Sequence, residues 1–117
     1  MIYHELDLFI LKTILSKEDT TTWDIAKIFP WEENPKVFKD KKEREDFLRL
    51  KTITIGNRLK VMNPCGIIDI GKNGKYKNIY IVNREKVILK KQKFPDHTFG
   101  YVLWIKEDKE NWQCFQI

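Results

Sequence analysis

Two groups of side chains in this sequence have the types and spacing to hold a polyanion. The first lies between residues 49 and 60. Asn57 carries an amide that donates and accepts side by side, which matches the edge of an adenine. Arg49 and Lys60 can reach guanine or phosphate, and Arg58 can reach a backbone phosphate. Thr52 and Thr54 supply hydroxyls that can bond a phosphate, helped by helix N-terminal amides if a helix starts there. Gly56 allows close backbone approach, at about 1 kcal/mol of helix propensity relative to Ala. The second group is Lys72, Lys75 and Lys77 around Asn73-Gly74. An Asn-Gly pair is a strong signal for a tight hairpin turn, because both central residues need positive φ. Three lysines at such a tip gather charge where phosphates would meet it, and each contact releases condensed counterions.

The charge of the whole chain is arranged to match. Its 117 residues carry a net charge of +5, with pI near 9.2. Residues 39–93 hold 16 Lys/Arg against 6 Asp/Glu, and the rest of the chain holds 6 against 11. A positive middle between acidic ends points to nucleic acid or another anionic surface, the alternative being a solvated lysine-rich face.

Other chemistries find less support. Cys65 and Cys114 have no metal-ligand spacing, so no zinc module is expected, and cytosolic thiols are the default with a single bridge left open. His4 and His97 lack a neighbouring nucleophile and orienting group. No phosphate-binding glycine loop occurs. Pro95-Asp96 followed by Glu107-Asp108-Lys109 is similar to the PD…ExK signature of a nuclease superfamily, in which paired acids hold Mg²⁺. Here the second half falls in a predicted turn rather than on a core strand. The expectation is a protein that is not an enzyme, with no catalytic residue, no metal and no cofactor. Without a basic leader or a long apolar run, a cytoplasmic protein with no membrane partner is expected.

The elements that must position these groups follow from periodicity. Leu6, Phe9, Ile10 and Ile14 predict a first helix over residues 4–16. Thr21 or Thr22 can cap a second, with Trp23, Ile25, Ala26, Ile28 and Phe29 as its apolar face and Pro30 as its end. Asp40 and Glu43 mark another start. The β-branched run Thr52-Ile53-Thr54-Ile55 invites a break, so two helices or one over residues 41–63 both remain open. Ile55, Leu59 and Met62 form one stripe, which turns Ile53, Asn57 and Lys60 the other way, with Arg49 in line if the helix extends back. Residues 63–66, Asn-Pro-Cys-Gly, stop the helix. Ile67, Ile68 and Ile70 begin a strand, and residues 76–82 return it. Residues 84–93 read as a short helix or a third strand. Residues 101–106 and 112–117 predict a second hairpin, with Trp104 and Trp112 available to the first helix or to a dimer contact.

Helix, helix, helix, hairpin, with Ile55, Leu59, Met62, Gly66, Ile67 and Ile68 in the third helix and its exit, resembles the winged helix-turn-helix family. The stretch of residues 21–29, TTWDIAKIF, is similar to that family's second helix. The resemblance covers residues 4–82 and implies an α+β fold. Its third helix would enter the major groove and its hairpin would touch phosphate. The long interval from residue 30 to 51 departs from the family's short turn and implies an insertion between helices 2 and 3. The C-terminal β-hairpin, within residues 84–117, would be an addition to the same single domain. The implied partner is double-stranded DNA, bound with full or partial sequence specificity by a small transcriptional regulator. A homodimer would suit paired half-sites. Duplex DNA is favoured over RNA because no aromatic stacking strip is legible. The alternative is a winged-helix module that binds protein, docking through Leu50, Ile53 and Val61.

Overall fold

The structure, a computed structural model, describes residues 2–17, 19–32, 37–73, 77–108 and 110–117; of Asn73 and Lys77 it describes the backbone alone. Among the described residues, three helices and two small antiparallel sheets give an α+β fold. The order is α1 (Glu5–Ser16), α2 (Thr22–Ile28), α3 (Lys41–Met62), β1 (Ile68–Asn73), β2 (Lys77–Val82), β3 (Val87–Lys93), β4 (Phe99–Lys106) and β5 (Trp112–Gln116).

Each helix starts where its sequence supplies a partner for the unsatisfied first-turn amides. The His4 backbone N–H donates to Asp7 Oδ2 at 2.8 Å at the head of α1. At α2 the bonding is reciprocal: the Asp24 N–H donates to Thr21 Oγ1, and the Thr21 N–H donates to Asp24 Oδ2, both at 3.1 Å. Phe29 ends α2 in extended conformation because Pro30 follows it. Asp40 Oδ1 accepts from the Glu43 N–H at 2.9 Å and opens α3.

The two readings of residues 41–63 resolve to one helix of 22 residues, about 33 Å long. The β-branched run does not break it. Thr52 Oγ1 donates to the Arg49 carbonyl at 2.6 Å and Thr54 Oγ1 to the Leu50 carbonyl at 3.4 Å, so both hydroxyls bond back onto their own helix. Ile55 sits fully buried between Leu48 and Leu59 on the same stripe. The helix leaves through Gly66, whose φ of +73° is the left-handed region that suits glycine. Asn63 Nδ2 donates to the Ile68 carbonyl at 2.7 Å and fixes the turn into β1.

β1 and β2 form a two-stranded sheet in the register Ile68↔Val82 to Asn73↔Lys77. Residues 84–93, left between helix and strand by their sequence, supply β3. It pairs along its whole length with β4, so the expected C-terminal hairpin is two strands of a three-stranded sheet ordered β3-β4-β5. Trp104 and Trp112 stand on its outer face, with Lys106 Nζ 5.8 Å from the Trp112 ring.

One apolar core joins all these parts. Ile10 and Leu11 of α1, Ile25 and Ala26 of α2, and Ile55, Leu59 and Met62 of α3 meet Ile68 and Val82 of the first sheet and Val87, Leu103 and Ile105 of the second. In the interval between α2 and α3, Trp31 Nε1 donates to the Ala26 carbonyl at 2.9 Å and its ring lies edge-on to Phe29. No disulfide joins Cys65 to Cys114. Among the described residues no helix is long and apolar enough to cross a membrane. The radius of gyration is 15.7 Å, against about 13 Å for a compact chain of this length, so parts of the molecule project from the core.

Candidate nucleic-acid interface

The candidate interface lies on α3, whose two faces are set by one periodicity. Leu48, Ile55, Leu59 and Met62 are buried, and at 100° per residue Arg49, Ile53, Asn57 and Lys60 then stand on the opposite side, all exposed. From residue 49 to residue 68 the chain has no carboxylate. The exposed face in the C-terminal half of α3 is therefore positive, with one amide at its centre. Arg49 Nη1 lies 3.3 Å from Asp46 Oδ1, an exposed ion pair worth about 0–1 kcal/mol and easily opened. Gly56 lies beside this face, and a Cβ built on it would meet nothing within 4 Å.

Two of the expected contacts are corrected. Arg58 points inward: its Nε and Nη2 donate to Asp7 Oδ1 and Oδ2, each at 2.7 Å. Asp7 is fully buried, so the guanidinium is held by α1 rather than offered to a phosphate. The hydrogen bond from Arg58 to Asp7 raises the Arg58 pKa further above its already high ordinary value. Thr52 and Thr54 lie in mid-helix, where the amides are bonded within the helix, so the expected phosphate site at a helix N-terminus does not exist there.

The same face carries apolar surface. Leu50 is 65%, Ile53 59% and Val61 43% exposed. Leu50 and Val61 lie on one flank of the Arg49–Lys60 stripe and Ile53 lies within it.

Of the hairpin lysines, Lys72 is exposed on β1, across from Asn78. Asn73 and Lys77 face each other as a backbone pair closing the described part of the hairpin. Lys75 lies outside the described residues, as does Gly74. The hairpin is tied to the helices through Ile68 and Val82, both buried.

The PD…ExK spelling does not converge. Asp96 belongs to the turn before β4, where Thr98 donates to its carboxylate through both hydroxyl and N–H, the hydroxyl chiefly holding it below the usual carboxylate range. Glu107 and Asp108 follow the far end of β4, about 23 Å of strand away. Among the described residues no group of three or more acidic, His or Cys side chains could hold a metal ion.

One feature escaped the sequence reading altogether. Phe99 and Tyr101 alternate on β4 and are 64% and 42% exposed, with lysine ammonium groups over their rings. The signal is the F-x-Y alternation, hidden because the strand expected from the sequence starts only at residue 101.

No protein-family model, curated protein or solved structure matches the chain, so the geometry of its own residues carries the reading.

Proposed function

We propose that this protein binds double-stranded DNA through the exposed face of α3 and the tip of the β1–β2 hairpin, in the manner of a winged-helix domain, and serves as a small transcriptional regulator. The observation that carries the reading is the face of α3: Arg49, Asn57 and Lys60 stand outward together along residues 49–62, a stretch of the helix with no carboxylate. An α-helix of about 10–12 Å diameter matches a major groove about 12 Å wide. Asn57 would read a base edge, Lys60 and Arg49 would take phosphate or guanine, and Ile53 would contact a thymine methyl. The hairpin lysines Lys72, Lys75 and Lys77 would add phosphate contacts without sequence preference. A homodimer would place two such helices in successive grooves.

The exposed Leu50, Ile53 and Val61 favour a second reading, a protein-docking face on the same helix. Fluorescence anisotropy on a random-sequence duplex across ionic strength separates the two. The duplex reading expects micromolar binding with a steep negative salt slope, and loss of binding when Lys72, Lys75 and Lys77 are all changed to Glu. Equal behaviour of wild type and the triple variant would sink it, and the docking reading would take its place.

A further inference from the structure

We propose that the projecting end of the three-stranded sheet is a second nucleic-acid site, at which Phe99 and Tyr101 stack on the unpaired bases of single-stranded DNA. The strand β4 supplies the geometry. Its side chains Ile105 and Leu103 are fully buried in the core, whereas Tyr101 and Phe99, next along the same face, are 42% and 64% exposed. The face that forms the core at one end of β4 thus continues past the helices as an aromatic ledge. Burial alone does not explain two large rings left in water on successive outward positions.

The charge beside the rings selects the partner. In the sheet register Lys91 stands opposite Tyr101 and Lys93 opposite Phe99. Lys91 Nζ lies 5.3 Å from the Phe99 ring centre, and Lys12 Nζ of α1 lies 5.3 Å from that of Tyr101. Among the described residues none of these three lysines makes an ion pair with a carboxylate. The ammonium groups of Lys12 and Lys91 rest on ring faces instead. A base arriving at a ring can take that position while the lysine swings to the adjoining phosphate. From Tyr101 the surface continues onto α1 as an open groove of about 330 Å³, lined by Leu8, Phe9, Lys12, Gln116 and Ile117, with Glu5 at its rim. The Ile117 N–H donates to the Tyr101 carbonyl at 3.1 Å and joins the groove to the ledge. Among the described residues Glu5 is the one acidic side chain lining the groove; Asp7, next to Leu8 in the chain, is fully buried and held by Arg58.

Spacing decides between one strand and two. Residues i and i+2 of a strand are about 6.8 Å apart. That is twice the ~3.4 Å rise per nucleotide within a duplex, so adjacent bases on the two rings belong to an unstacked, extended strand. Stacking on aromatic side chains tolerates any base, and here the lysines supply the backbone attraction. The choice of DNA over RNA rests on the duplex reading of α3; the stacking itself does not.

The test is anisotropy of a fluorescein-labelled oligo(dT) of about 12 nucleotides on four proteins. These are wild type, Phe99→Leu/Tyr101→Leu, Lys91→Ala/Lys93→Ala, and the hairpin reversal of Lys72, Lys75 and Lys77 to Glu. The leucine pair keeps apolar bulk, and its thermal midpoint checks that it is folded. Loss of at least about tenfold in oligo(dT) affinity with the leucine pair, and a salt slope about 1.4 shallower with the double alanine, is the expected result. Duplex binding by the leucine pair should stay at the wild-type level. The hairpin reversal should leave oligo(dT) binding intact, so ring-dependent oligo(dT) binding by a protein that ignores duplex would uphold the ledge while removing the α3 reading. Wild-type oligo(dT) affinity in a folded leucine pair would overturn the proposal. Tighter binding of oligo(U) than of oligo(dT) would overturn its assignment to DNA.

Discussion

Arg58 of α3 and Asp7 of α1, 51 residues apart, are locked together by two parallel hydrogen bonds of 2.7 Å, with the carboxylate fully buried and also receiving the His4 amide. The pair fixes how far the two helices can slide or rotate against each other, because a bidentate fork tolerates little displacement. It is the polar bolt that orients the outward face of α3. Removing one partner strands the other: Asp7→Ala should lower stability to urea by about 3–5 kcal/mol, whereas Asp7→Leu with Arg58→Met should recover most of that loss. A double variant as unstable as Asp7→Ala would show that the pair supplies more than charge compensation.

Lys60 and Asn57 should separate phosphate from base contact. Lys60→Ala should make the log–log salt slope of duplex binding shallower by about 0.9 and weaken all duplexes alike. Asn57→Ala should leave that slope unchanged and cost about 1–3 kcal/mol on a selected site against a random duplex. Selection from a random duplex pool followed by anisotropy gives both quantities. A slope that moves with Asn57 but not with Lys60 would reverse the two roles.

Gly56 offers a case in which stability and binding should part. A Cβ there meets no neighbour within 4 Å, so Gly56→Ala should stabilise α3 by about 0.5–1 kcal/mol through helix propensity. If a groove approaches the backbone at this point, the same change should weaken duplex binding. Thermal melts beside anisotropy read both effects, and a destabilised Gly56→Ala would contradict the open space.

The start of α2 should impose an acid-side loss of stability. Asp24 titrates below its ordinary value, chiefly because the Thr21 backbone N–H bonds its carboxylate, then because the Thr21 hydroxyl does. A carboxylate with a depressed folded pKa contributes stability above its unfolded value of about 3.9, and that contribution is lost as pH falls through the folded value. Wild type should therefore exceed Asp24→Asn in urea midpoint at about pH 6, and the gap should close as pH falls below about 4. Thr21→Ala should cost about 1 kcal/mol at neutral pH through the lost cap.

What could be read from the sequence was local in origin. Ile55, Leu59 and Met62 announce their buried stripe by spacing alone, and that stripe dictates which way Asn57 and Lys60 face. The continuity of α3 through residues 52–55 could not be read, because β-branched residues cost only tenths of a kcal/mol each and the burial of Ile55 outweighs them. Arg58 reads as a surface cation since nothing near it in sequence names Asp7; the pairing exists only once α1 has packed. Phe99 falls outside the strand expected over residues 101–106 because Asp96 and Thr98 write a turn just before it, and the strand begins immediately after that turn closes.

The three-stranded sheet has two rims of opposite character. β3 carries Lys90, Lys91 and Lys93 along its outer half, charges that repel a second copy of the same rim and discourage further strand pairing. The opposite rim, β5, reads Trp-Gln-Cys-Phe-Gln and has no charged residue at all. Any strand that extends this sheet, from a neighbouring molecule at high concentration or one appended by design, will therefore join beside β5, and a lysine placed at Gln116 is the change that should keep concentrated solutions clear.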